Sequence, residues 1–322
     1  MTDAAKGAKI LGVRHLSDNQ VVYTDWTCSG IEFSANITEL SNITVTASSN
    51  APCYFKAYVD GTLWKNGTSD YYTVNGESTI VLQKVPVGTH TVRLVKATGY
   101  TLAQAELRKI EVCGSISATA DKELYIEFLG DSISCGWGVV GSHDGGYASQ
   151  DGTLAYPYLV ADALNADYSI MGLSGRGVIY GTDLNFDKDY LKASPSRSET
   201  EYGFARQADI VVINLGTNDR GNHADSAEFE AGYLRLLERV FAKNGDDCIV
   251  YCLWGAMNDA YSTQIQNAIA SYQASHSTAK IYTLELAAST VAGGAPSWGH
   301  PSIEDHAGYT TALTNALKNV IS

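Results

Sequence analysis

Five short apolar runs in the last two thirds of the chain constrain its fold more than any other feature. They fall at residues 124–129, 168–171, 210–215, 249–253 and 280–284, and helical periodicity appears around 155–165, 226–243, 262–275 and 302–320. Runs this short and this little interrupted by polar residues suit strands buried on both faces, not the alternating strands of a half-solvated sheet. Strands of that kind interleaved with helices predict an α/β unit in three layers, a parallel sheet with helices on both sides.

The first third has a different texture. Between residue 12 and about residue 112 it breaks into short β-rich runs at 21–26, 30–33, 43–47, 53–59, 78–82 and 90–96. Asp60-Gly61, Asn75-Gly76 and Pro86-Val87-Gly88 are turn signals between them. This predicts an all-β sandwich or jelly roll, closed by a last pattern at 102–112. The small residues 114–119 read as a connector, which puts the boundary near 118 and divides the chain into 1–118 and 119–322.

Parallel sheets bind their ligands at the carboxyl ends of strands. The run 124–129 ends in Gly130-Asp131-Ser132, so the Ser132 hydroxyl emerges at that edge as a candidate nucleophile. Serine is a poor nucleophile alone and needs a base and an oxyanion site. The run 210–215 ends in Gly216-Thr217-Asn218-Asp219, and Gly299-His300-Pro301 precedes the last helical stretch.

With these blocks the chain resembles the GDSL, or SGNH, hydrolases, whose four blocks centre on Ser, Gly, Asn and His. The matching positions are Ser132, Gly175 in Leu173-Ser174-Gly175, Asn218 and His300, in the family's order, from about residue 123 to the end. The resemblance implies that His300 is the general base for Ser132. It also implies an oxyanion hole made of the Ser132 N–H, the Gly175 N–H and the Asn218 side-chain amide. Glycine at 175 lets the backbone approach closely, and asparagine at 218 is a neutral donor that does not compete for protons. Asp131, whose neighbour Ser132 points the other way, reads as a structural hydrogen-bonding residue. The family carries an Asp three residues before the His, where this chain has Ser297. A Ser-His dyad is then expected, its imidazole oriented by a backbone carbonyl, a hydroxyl or an acid from elsewhere. Glu304 and Asp305 suit the helix N-terminus better, and His306 reads as a structural companion of the His300 block.

A jelly roll ahead of such a domain narrows the resemblance to carbohydrate esterase family two, which removes acetyl groups from plant polysaccharides. Matching stretches are Ser29-Gly30-Ile31-Glu32-Phe33, Tyr58-Val59-Asp60-Gly61 and Cys135-Gly136-Trp137-Gly138. The implied substrate is an acetylated carbohydrate such as xylan or glucomannan. Two alternatives stay open: a general short-chain lipid or acyl-ester hydrolase, and a glycan-binding protein in which the same fold has lost catalysis. Polar inserts at 141–153 and 182–202 are the expected cleft walls, and Tyr147, Phe186, Tyr190 and Tyr202 within them are candidates to stack on sugar rings. Trp137, Trp254 and Trp298 near the site blocks are further candidates.

The 22 basic and 35 acidic residues leave a net charge of −13, which works against binding to nucleic acid or an anionic membrane. The other histidines form no metal-spaced pair on a helix, and neither a metal nor another cofactor is expected. The six cysteines lack a Cys-x-x-Cys pair, so they support neither a zinc site nor a disulfide framework, although Cys28 and Cys53 fall in the same β-rich segment and are candidates to pair. No apolar stretch reaches membrane-spanning length and no signal-peptide core opens the sequence. The composition suits an extracellular bacterial enzyme whose signal is missing here, with a cytoplasmic location as the alternative.

Overall fold

The computed structural model describes residues 1–12, 20–140, 147–181, 184–195, 201–204, 206–291 and 299–321. Among these residues the parallel sheet has five strands, ordered in space Asp167–Gly172, Tyr125–Gly130, Ile210–Asn214, Ile249–Gly255 and Lys280–Leu286. The strand that opens the unit therefore lies inside the sheet, flanked by the second and third. Alternate residues of this strand pack into separate cores. Leu129 joins Phe229, Tyr233 and Leu237 of the helix Ser226–Asn244, while Ile126 and Phe128 join Tyr156 of Tyr156–Ala163 and Leu313 of Ile303–Ile321. A period of two in the strand, facing a period of 3.6 in the helices, produces the three layers expected.

The first third forms two antiparallel sheets closed over a core that includes Ile31, Phe33, Phe55, Leu82, Val92 and Leu107. Two features depart from expectation. Gly114–Ala118 is a strand and not a connector, paired antiparallel with Gly30–Ile37. Its small, mostly exposed residues carry no apolar period, so its conformation comes from the partner's backbone. The segment before residue 12 also pairs, with Thr2–Asp3 on Ala105–Glu111 and Lys9–Leu11 on Gly30–Ile37. Cys28 and Cys53 are free thiols. They point into different cores, Cys28 toward the sheet-helix layer and Cys53 into the sandwich, so no disulfide joins them.

The two units share packing. Trp26, from the β-rich third, is 1% exposed and belongs to the same apolar cluster as Leu129, Met171 and Ile213. Its indole N–H donates to the Ala193 carbonyl at 2.9 Å, and its ring lies 5.7 Å from Tyr100. Close by, the Ser194 hydroxyl donates to Asp25 at 2.6 Å. Replacing Trp26 by alanine removes a large side chain from a core that neither unit completes alone. Trp26→Ala is expected to cost about 3–5 kcal/mol in urea unfolding. A loss below about 1 kcal/mol would show that this contact does not bind the units together.

Candidate active site

Gly130 is level with Gly172 on one side and Asn214 on the other, so three strand ends deliver their loops to one place. Ser132 follows the first, Gly175 the second and Asn218 the third. His300 arrives from the segment before Ile303–Ile321 and puts Nε2 2.8 Å from Ser132 Oγ, across 168 residues of sequence. This is hydrogen-bond distance for proton transfer between the hydroxyl and the imidazole. Ser132 is 5% exposed and His300 is half-buried.

The backbone N–H groups of Ser132 and Gly175 have no acceptor among the described residues. Gly175 has φ +78°, a left-handed conformation that glycine adopts without strain, and a Cβ placed there would meet nothing within 4 Å. The loop thus presents an open, sterically clear backbone face. Asn218 Nδ2 donates to the Arg176 carbonyl at 2.9 Å and to Asp131 Oδ2 at 3.2 Å.

Asp131 is fully buried and also accepts from the Ile133 N–H at 2.9 Å, which fits the structural part expected of it. Burial pushes its carboxyl up to about 7 against the pull of that N–H, and Asp219 adds to the rise. Asp305 accepts from the N–H groups of Ser302 (2.9 Å) and Thr290 (3.2 Å) and from the Ser289 hydroxyl (3.3 Å). These bonds tie it to the start of the last helix and the loop before it, as a carboxylate at a helix N-terminus is expected to do. Ser297 lies outside the described residues.

The expected aromatic contacts divide. Trp137 is half-buried in the turn after the nucleophile, its N–H bonded to the Ser132 carbonyl at 3.0 Å, and Trp254 is half-buried near the end of Ile249–Gly255. Both lie at the edge that carries Ser132. Trp298 and the Tyr147 side chain lie outside the described residues. Tyr190 does not line a cleft. It is fully buried, donates to Glu127 at 2.6 Å and accepts from Asn244 at 2.9 Å, because a carboxylate buried on the Tyr125–Gly130 strand demands a donor. Phe186 is likewise core. Tyr202 borders a cavity of about 230 Å³ with Lys9, Tyr125, Asp167 and Arg206, where the strands begin, at the edge opposite Ser132.

Residues 149–153 are not a cleft wall either, and sequence reasoning missed what they do. Gln150 is 1% exposed and accepts from the Gly99 N–H of the β-rich unit at 2.7 Å, while its amide donates to Cys135 Sγ at 2.9 Å. Asp151, fully buried, pairs with Lys56 at 2.6 Å and accepts from Tyr71 at 2.8 Å. The strap therefore joins the sandwich to the turn that follows Ser132. Asp219 was also missed, although an acid directly after Asn218 in a strand-end motif was a visible signal.

A model of the GDSL-like lipase/acylhydrolase family matches residues 128–315. The cellulase/esterase CelE of Acetivibrio thermocellus is 27% identical over 311 residues, which are 91% of this chain and 37% of that protein. An acetylxylan esterase/glucomannan deacetylase of Cellvibrio japonicus is 24% identical over 186 residues, 51% of this chain and 52% of that one. The chain thus spans little more than a third of the first relative and about half of the second. Among solved structures, a family two carbohydrate esterase from Clostridium thermocellum in complex with cellohexaose superposes with a TM-score of 0.85 at 26% identity, covering 97% of this chain and 99% of the other.

His306 lies beneath the site. It is fully buried, accepts from the Tyr156 N–H at 3.3 Å through Nδ1, stacks on the Tyr156 ring and meets Tyr309 edge-on. Its Nε2 has no hydrogen-bond partner among the described residues, and burial pushes its pKa from 6.5 down to about 4. The folded protein therefore binds fewer protons here than the unfolded chain. The resulting stability is fully present above about pH 6.5 and is lost as pH falls toward 4. Between pH 7 and 4.5 the protein is expected to lose on the order of 2 kcal/mol more than His306→Phe in urea titrations. Parallel declines in the two proteins would remove His306 as the cause.

Proposed function

The chain belongs to the GDSL-like lipase/acylhydrolase family, and from that premise we propose that it is a serine esterase releasing acetyl groups from carbohydrate. The 2.8 Å contact of His300 Nε2 with Ser132 Oγ, beside two backbone N–H groups that have no acceptor among the described residues, carries the proposal. Ser132 Oγ attacks the ester carbonyl as its proton passes to His300 Nε2. The tetrahedral intermediate collapses, the C–O bond to the sugar breaks and the imidazolium returns the proton to the leaving alcohol. Water, deprotonated by the same imidazole, then releases acetate and regenerates Ser132.

The negative oxygen is stabilised by the N–H groups of Ser132 and Gly175 and by the Asn218 amide. One proton of that amide is held only at 3.2 Å by a carboxyl whose charge burial opposes, so an oxyanion competes for it favourably. Asn218→Ala is expected to lower kcat roughly a hundredfold with little change in KM, since the donor acts on charge present only in the transition state. A raised KM with level kcat would make Asn218 a ground-state binding residue.

A carbohydrate substrate is supported by the activities named for the relatives and by the cellohexaose held in the similar structure. The half-buried Trp137 and Trp254, with the exposed Tyr180 on the Gly175 loop, offer flat faces for sugar rings. The protein is expected to release acetate from acetylated xylan or glucomannan and to cleave an aryl acetate faster than an aryl octanoate. Ser132→Ala should lose about a thousandfold or more of that turnover with its fold intact. Faster octanoate cleavage with no release from either polysaccharide would leave a general acyl-ester hydrolase. Full activity in Ser132→Ala would overturn the mechanism.

A further inference from the structure

We infer that Asp219 is a positioning residue that holds the Gly175 N–H in the oxyanion site, an inference that rests on the esterase mechanism above. Its buried carboxylate gathers three consecutive backbone N–H groups of the loop beyond Gly175: Val178 at 3.0 Å, Ile179 at 2.9 Å and Tyr180 at 3.0 Å. No other described side chain in the site binds so many N–H groups of one loop. Three donors converging on one carboxylate fix the path of that backbone far more tightly than one hydrogen bond does.

The loop is held at both ends. At its start the Leu173 N–H donates to the Gly130 carbonyl at 3.0 Å, tying it to the strand that leads to Ser132. At its far side Asn218 holds the Arg176 carbonyl at 2.9 Å and, one residue further on, Asp219 takes the three N–H groups of Val178, Ile179 and Tyr180. Gly175 lies between the two holds with its own N–H unclaimed among the described residues. Asn218 supplies one oxyanion donor directly, and Asp219, its neighbour on the same helical turn, aims another through the loop. Gly177 reports how closely the carboxylate is seated, since a Cβ at that position would lie 2.0 Å from Asp219 Oδ2. Burial raises the Asp219 pKa, and the three N–H groups pull it the other way by favouring the charged form.

The loop can therefore be disturbed in two independent ways, by removing the carboxylate or by pushing it aside. Asp219→Ala, Asp219→Asn and Gly177→Ala would be compared in the full chain with p-nitrophenyl acetate as substrate and phenylboronic acid as probe, after circular dichroism and thermal midpoints. The boronate forms a tetrahedral adduct on a serine and places an oxygen where the oxyanion develops. Asp219→Ala and Gly177→Ala are each expected to lower kcat about 30- to 100-fold, to leave KM within about threefold, and to weaken phenylboronic acid by a factor similar to the kcat loss. Asp219→Asn keeps one acceptor oxygen and should lose less. Folded variants with kcat within about threefold of the parent would overturn the inference, as would a kcat loss with boronate affinity unchanged. Failure of all three variants to fold would overturn it too, making Asp219 a folding residue. If phenylboronic acid does not bind the parent and Ser132→Ala keeps its turnover, the esterase mechanism has failed. If Ser132→Ala is inactive and the Asp219 variants are not impaired, only the positioning role has failed.

Discussion

The parallel register that sets Gly130 beside both Gly172 and Asn214 is the constraint on which the site depends. Three loops leave the sheet at one level, and only short connections separate each strand end from Ser132, Gly175 or Asn218. A one-residue slip of a strand would turn its apolar residues toward the wrong core, so the packing of Leu129 on one face and Phe128 on the other also locks the position of the chemistry. Stability and geometry are therefore the same property here. His300 needs no place in the sheet, because the last helix carries it back across the edge where the three loops meet.

The β-rich unit reaches the nucleophile through polar contacts. Lys56 and Asp151 are buried together, a costly arrangement unless the remaining hydrogen-bonding capacity is also met. Tyr71 and the Thr153 N–H and hydroxyl meet it, on the two carboxylate oxygens. Neighbouring Gln150 links the Gly99 N–H to Cys135, three residues after Ser132. The sandwich is thus part of the wall behind the nucleophile turn. Trp26, inserted among the residues of the sheet-helix core, makes the same join in apolar form.

Buried ionisable groups around the site each have a stated partner or a suppressed charge. Asp131 and Asp219 are both pushed up by burial and accept backbone N–H groups, and Asp305 is held down by the N–H groups at a helix start. His306 is kept neutral under Tyr156. Asp131, the carboxyl next to Ser132 in sequence, thus has its negative charge opposed by the same burial that excludes water.

Local pattern determined the layers. The apolar runs all became strands of one parallel sheet, but only four are largely buried on both faces, since Lys280–Leu286 lies at the sheet edge and is mostly exposed. The helices at Ser226–Asn244, Ser262–Ser275 and Ile303–Ile321 lie within a residue or two of where their periodicity put them. The blocks around Ser132, Asn218 and His300 were legible because each follows or precedes an element whose end the pattern marks, whereas Gly175 was marked only by the resemblance to the hydrolase family. What periodicity could not carry was the pairing of groups distant in sequence. Gly114–Ala118 became a strand because Gly30–Ile37 offered a free edge, and Tyr190 went inside because Glu127, 63 residues away, required a donor. The grip of Asp219 on residues 178–180 and the strap at Gln150 and Asp151 have the same origin. A sequence determines which faces of its own elements must leave water, whereas a buried polar group must find its partner wherever the fold brings one, and only the tertiary structure decides that.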